Sequence, residues 1–578
     1  MDEATGFTMT SSKSKYALAA VALGAFAAWP FSGALANTAS EIRALKAQLR
    51  ALEAKVAHQG AEVHHATNVA NAAHAKAGQH APPPVFVYFK NGLFVETEDH
   101  AYSFKVGGRI QVDGGGISSP LNGRDGTASF RRARLEVEGK AANIWIYKLQ
   151  YDFAGGSTAP NSNGTTGNGQ GALGGIRDAY LGLRHPWLSM PFAAAPVLIQ
   201  VGSMYEPFGL DALNSSKYID FIERPLGIDA IAPFRHVGLS AGAYGENWTA
   251  KVGVYTTSFE DANASPTLGV GVPFYVPKGA GWVGTGGGQY VDVAGRLTYA
   301  PIKTEHDLIH LGVAGRYHSP NDSNGNNDDR VLRIGSNLRS EANVLGQSLL
   351  GAPDLSCGSV IFPSTSSGIA GHCVRDVFSY GVELALAHGP FTFQGEYMGS
   401  QYSRDSGKIL QARLLGNFAP GGSSQSFSGW YAYGQYWLTG EERAEAYSVK
   451  DANGASFEQV KIKSPFSAGG PGAWGFGLRY SAVNLNSGPY SGSGLYNMIA
   501  LAPTAAARNV IANAGVAGGR QEDLTAGINW YPDNGIHFQA NWTRVMHISA
   551  PLNGSATQGA YFNGAHPNLF EMRAQVYW

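Results

Sequence analysis

The chain is short of charge, of cysteine and of long apolar runs. Charged residues are 15% of 578, against about 25% in an ordinary soluble protein. The longest apolar stretch, near the N-terminus from Tyr16 to Pro30, falls below the roughly 18 residues that a spanning helix needs, which argues against a helical membrane protein. A net charge of −1 offers no basic excess for a nucleic-acid partner. The only cysteines, Cys357 and Cys373, form no C-x-x-C and no metal-spaced cluster, so the thiols point to no zinc site. What is plentiful is glycine, 76 residues, and aromatics at 11%. A disordered chain would be charge-rich and aromatic-poor. With helices excluded as spans, a closed β-barrel is the membrane architecture left open.

The first 36 residues read as a secretory signal. Lys13 and Lys15 give a positive start, Tyr16 to Ala28 an apolar centre, and Ala34-Leu35-Ala36 a small-residue cleavage site. From 37 to 80 we expect a helix and a linker. Ile42, Leu45, Leu49, Leu52 and Val56 recur at spacings of three and four, an apolar seam of coiled-coil type over residues 40–57. From Gly60 the seam stops, and a stretch rich in Ala, Asn and His leads to Pro82-Pro83-Pro84, which reads as a linker. Its histidines, His58, His64, His65, His74 and His80, have irregular spacing and no acidic or thiol partner, so no metal is assigned to them.

From 81 to 578 the rhythm has a period of two. Phe570, Met572, Ala574, Val576 and Trp578 share one face of the last strand, and Glu571, Arg573, Gln575 and Tyr577 the other. Alternating segments start near 103, 128, 143, 174, 196, 235, 247, 289, 307, 376, 390, 427, 472, 522, 535 and 569. The reading is an all-β protein, an antiparallel transmembrane barrel of about sixteen strands with a water-filled lumen. His388-Gly389-Pro390 and Tyr531 to Gly535 read as short periplasmic turns, and 155–174 and 318–375 as extracellular loops. Cys357 and Cys373 share the longest loop, and an oxidising compartment favours a disulfide between them.

Several runs along the barrel carry a family likeness: Phe104 to Arg109, Phe130-Arg131-Arg132-Ala133-Arg134, Tyr151-Asp152-Phe153, Glu206 to Leu210, Ser215-Ser216-Lys217-Tyr218, Glu223-Arg224, Leu438 to Glu441 and Asn529-Trp530-Tyr531. Together they resemble the phosphate- and polyphosphate-selective outer-membrane porins. The resemblance implies a sixteen-stranded homotrimer in the bacterial outer membrane, with passive anion uptake through a loop-narrowed constriction. It places Ser215, Ser216, Lys217 and Arg224 at an anion site, with Arg109, Arg131 and Arg132 nearby. Ala212 stands where phosphate-specific members carry a lysine, so phosphate or polyphosphate specificity stays open.

Alternation agrees in part. It turns Lys105, Arg109, Arg132, Arg134, Lys140, Lys148, Arg296, Arg316, Arg479 and Arg573 into the lumen, but also Asp113, Glu136, Glu138, Asp152, Asp178, Asp292, Glu383, Glu396 and Glu571. With basic and acidic groups so balanced, anion preference has to come from segregation or from an inward loop, and Glu206 to Pro233 is the candidate. Guanidinium forks suit phosphate because they bind its oxygens in pairs. Arg330, Arg333 and Arg339 extend a basic path or are solvated loop charges.

Other motifs fail on context. Gly238-Leu239-Ser240-Ala241-Gly242 lacks the strand-turn-helix of a nucleophile elbow. Asn321 to Gly325 has Arg333 where a calcium loop needs glutamate. We therefore expect no enzyme activity, no cofactor and no metal. The expected partners are small anions, outer-membrane lipid and two further copies of the chain. A general or sugar-passing porin is one alternative. A structural envelope tether, with the N-terminal helix contacting the cell wall, is another.

Overall fold

The computed structural model describes residues 38–76, 84–119, 123–154, 175–185, 188–190, 195–256, 291–319, 355, 373–414, 421–449, 454–488, 515–549, 564 and 566–578. The expected signal peptide, Cys357, Arg330, Arg333 and Arg339 lie outside these residues. The chain forms two units, Met1–Pro83 and Pro84–Trp578.

In the first unit, α1 (Thr38–Lys76) is one helix of 39 residues. It contains the expected helix and runs on through much of the stretch expected to be a linker. The cause is composition: Ala61, Ala66, Ala70, Ala72, Ala73 and Ala75 are the best helix formers, and a single interior Gly60 costs only about 1 kcal/mol. Contrary to the expectation that the histidines here have no acidic partner, His58 lies 3.5 Å from Glu62 one turn on and pairs with it along the surface. Leu49, Leu52 and Val56 are all exposed.

In the second unit, β1 (Val85–Phe89) and β2 (Leu93–Thr97) form a hairpin. Next come β3 (Ser103–Ser119), β4 (Gly123–Ala141), β5 (Trp145–Asp152) and β6 (Gly175–Leu183). The two-residue β7 (Ser189–Met190) flanks β8 (Ala195–Tyr205). There follow β9 (Arg235–Tyr244), β10 (Trp248–Tyr255), β11 (Val291–Lys303), β12 (Asp307–Ser319), β13 (Val374–His388), β14 (Phe391–Arg404) and β15 (Ser424–Trp437). The short β16 (Tyr447–Ser448) and β17 (Ser456–Phe457) pair with each other. The last strands are β18 (Ala473–Ser487), β19 (Val516–Tyr531), β20 (Ile536–Ser549) and β21 (Asn568–Tyr577).

With β1, β2, β7, β16 and β17 set apart, sixteen strands run antiparallel to their neighbours, and β21 closes on β3 from Asn568↔Ser118 to Tyr577↔Arg109. Closure removes the free edges that an open sheet would expose to lipid. Each barrel strand shows one apolar face and one polar face. On β21, Phe570, Met572 and Val576 are exposed, while Arg573 and Gln575 are buried. Trp474, Trp530 and Phe538 stack at 5.1 and 5.4 Å near the strand ends, as an interfacial girdle does.

The barrel is not an empty tube. An apolar cluster of Val377, Tyr402, Phe427, Val483, Leu485, Val545 and Leu569, with Leu355, fills part of its interior. Gly389 and the Pro532 to Gly535 stretch form the short turns expected of them. The connection from β15 to β18 does not: it is long and folds inward from the same side. There Arg296 donates to the Ala455 carbonyl at 3.0 Å, and His310 Nδ1 meets the Tyr447 hydroxyl at 2.7 Å. Tyr447, Val449, Ala455 and Phe457 pack on the inward Ala300, Leu308, Ala385 and Ala387.

Candidate functional site

The chain leaves β8 at Tyr205 and rejoins the wall at Arg235. In between lie two short helices, α2 (Leu210–Leu213) and α3 (Leu226–Ile231), and almost every residue is buried. This is the expected inward loop, and its apolar residues explain why it goes in. Phe208, Ala212, Phe221, Ile228 and Ile231 pack on Ala314, Met398, Tyr431 and Tyr433 of the wall. Gly209 turns the chain with φ 78°, a conformation that favours glycine. Just beyond it, the Glu396 carboxylate accepts from the N–H groups of Leu210 and Asp211 at 2.9 and 2.8 Å. Where α3 crosses β15, a Cβ on Gly429 would lie 2.4 Å from the Gly227 Cα. Backbone rests on backbone there.

The loop's other margin is tied carbonyl by carbonyl. Gln111 donates to Ser216 O (2.9 Å), Gln575 to Lys217 O (2.9 Å) and Arg443 to Tyr218 O (3.1 Å). Gln539 donates to Ile219 O (3.0 Å), Asn529 to Asp220 O (2.8 Å), Arg573 to Ile222 O (2.7 Å) and Arg479 to Glu223 O (3.0 Å). A backbone that forms no ladder must have its polar groups satisfied otherwise when buried. Here side chains of the wall and of the inward β15–β18 connection satisfy them.

This frame brings most of the expected site residues together. Arg109 donates to Ser216 Oγ at 2.7 Å. Lys217 donates to Glu136 at 2.6 Å. Arg131 grips Glu223 with two bonds, 2.6 and 3.1 Å. Arg132 donates to Gln111 Oε1 at 2.8 Å, forms no ion pair among the described residues, and has a buried Nε with no hydrogen-bond partner. The Ser215 hydroxyl accepts from the Lys217 N–H at 3.4 Å. Arg224 is used differently. Its guanidinium donates to the carbonyls of Asp211, Ala212 and Asn214 at 3.1, 3.1 and 2.8 Å. It thus satisfies the end of α2 from within the loop. Cys373 is disulfide-bonded.

Burial and the neighbouring Arg109 hold the Lys217 ammonium down to about 8, against the pull of Glu136. Burial, helped by Glu223, lifts the Asp229 carboxyl to about 7. Burial would lift Glu223 too, but Arg131 beside it holds it well below the usual carboxylate range.

Sequence reasoning passed over three features. Arg235 pairs with Asp178 at 2.7 Å, and Arg177 lies 3.6 Å from Asp152; both extend the basic wall. The inward β15–β18 connection contributes Arg443, and only its length announced it. Finally, Glu206, His236 and Asp292 converge in a buried cluster. Arg316 bridges Asp292 and Glu206 at 2.6 and 3.2 Å, and His236 Nδ1 lies 2.7 Å from the other Glu206 oxygen.

The model of the family described as phosphate-selective porin O and P matches residues 104–578. The chain belongs to this family. It is an outer-membrane porin. A relative, Porin O of Pseudomonas aeruginosa, is 24% identical over 483 residues, 83% of this chain and 91% of its own. A Caulobacter vibrioides protein is 24% identical over 511 residues, 87% of this chain and 80% of its own. Solved structures similar to this porin include an anion-selective porin from Comamonas acidovorans, at 9% identity and TM-score 0.39 over 82% of this chain and all of that one. The channel DcaP of Acinetobacter baumannii is 10% identical with TM-score 0.39, over 84% and 99% of the two chains.

Proposed function

We propose that this porin passes small anions by diffusion through the lumen narrowed by the 206–234 loop, with phosphate and polyphosphate as the candidate solutes. One observation carries the reading: Arg132, on the wall beside the loop, forms no ion pair among the described residues and stands in the field of Arg131, Arg134 and Arg573, opposed by Glu223. A guanidinium in a low-dielectric site that no carboxylate pairs with favours a passing oxyanion. Lys217 adds a charge from the loop side. Placed in a planar bilayer under a KCl gradient, the porin should give a reversal potential of anion-preferring sign, and phosphate should reduce the chloride current. Lys217→Glu should lower both effects. Cation preference in the unaltered porin would overturn the reading.

A general, weakly selective porin is the second reading. It is favoured by Ala212 and by the carboxylates that already engage most of the lumen cations. The same gradient separates the two, because a general pore gives a potential near zero and no phosphate effect.

A further inference from the structure

Glu136 is the most heavily attended carboxylate of the constriction. It projects from β4 into the lumen and is buried. Lys217 Nζ lies 2.6 Å from its Oε1; Lys148 Nζ lies 3.6 Å and Arg109 Nη2 3.9 Å from its Oε2. The Gln150 amide also donates to it. Two of these groups are shared with further neighbours, Lys148 with Glu138 at 3.1 Å and Arg109 with Ser216. One strand-borne carboxylate therefore holds two oxygens among three cations and an amide. A phosphate oxygen pair entering from the lumen would need the same donors.

We propose that Glu136 is a tethered counter-ion occupying an anion subsite, and that a permeating oxyanion competes with it for Lys217, Lys148 and Arg109. This rests on the anion-porin reading and names its regulator. While Glu136 is in place, each of the three cations has a carboxylate neighbour without any solute. Removing its charge leaves Lys148 with Glu138 alone and Lys217 and Arg109 buried without a carboxylate partner, a costly arrangement that an incoming anion relieves. The wall thus sets how tightly anions dwell by competition from inside. Lys217, which the resemblance marks for anion binding, is in the resting porin engaged by the protein's own carboxylate.

The test is Glu136→Gln, which keeps the shape and the acceptor facing Lys217 but loses the charge. In planar bilayers its anion-over-cation permeability ratio should rise, and phosphate should reduce chloride current at about tenfold lower concentration. An unchanged ratio and an unchanged phosphate concentration would overturn the proposal. Heat-modifiable gel migration reports whether the variant has folded. If it has not, Glu136→Asp decides: it keeps the charge but draws it back by one methylene, and no fall in the phosphate concentration overturns the proposal. Failure of the underlying reading looks different. A porin that prefers cations before mutation sinks anion selectivity, whereas the shift on Glu136→Gln still reports what Glu136 does.

Discussion

At the scale of single residues, Lys217 gives a pH signature. Its ammonium is held to about 8 by burial and by Arg109. It is charged below that value and neutral above it, so raising pH through 8 removes one positive charge from the loop margin. A unit charge about 8 Å from the ion path in water is worth about 0.5 kcal/mol to the anion and the opposite to the cation, so the anion-over-cation permeability ratio should fall about fourfold between pH 7 and 9. Reversal potentials across that range check it, and Lys217→Gln should flatten the response. Arg131 shows what the sequence made legible and what it hid. Strict alternation with Ala133, Leu135 and Val137 puts Arg131 on the lipid face, at a cost of about 2–4 kcal/mol. The register instead slips between Gln111↔Arg132 and Val112↔Phe130. This bulge lets Arg131 reach Glu223 while Arg132 stays inside. The paired arginines were readable as a motif, but the backbone irregularity that makes both usable was not. Arg224 was hidden for another reason. Three carbonyls of its own loop claim it, and no spacing in the sequence announces such a fold-back.

At the scale of elements, the loop between β8 and β9 was legible as an insertion because its length and prolines forbid a strand. Its docking was not legible, since that depends on contacts far apart in sequence such as Gly227 with Gly429. This contact makes a prediction. In Gly429→Val the new side chain would meet the Gly227 backbone, and neither backbone can give way easily. Overpacking of this kind costs about 1–3 kcal/mol, and α3 is the part free to yield because the strand is held by its ladder. The variant should still form a barrel, with higher single-channel conductance and weaker selectivity. Conductance equal to that of the unaltered porin would mean that α3 does not hold the loop in its narrowing position.

At the scale of the whole molecule, barrel closure followed from alternation and strand count, whereas the number of copies does not follow from one chain. We expect a homotrimer, with barrel-wall contacts fixing the number and α1 reinforcing it. The physical ground for the helix part is its seam. Leu49, Leu52 and Val56 are exposed on a helix of 39 residues, and a lone helix has nowhere to bury them. Because the helix runs on to Lys76, the three-four spacing also continues through Gln59, Val63, Ala66, Ala70 and Ala73. That gives a longer seam than the first five positions alone, although alanines bury little area. Seams of this kind do not by themselves choose two strands over three, but helices tethered to an assembled barrel meet at high effective concentration. Leu49→Asp with Leu52→Asp puts two charges into the seam and should melt the helical association, seen as lost helical signal in circular dichroism. The barrel contacts remain, so native gels and cross-linking of the double variant should still show a trimer. A monomer there would mean that the helix holds the copies together, and a monomer in the unaltered porin would reject the assembly.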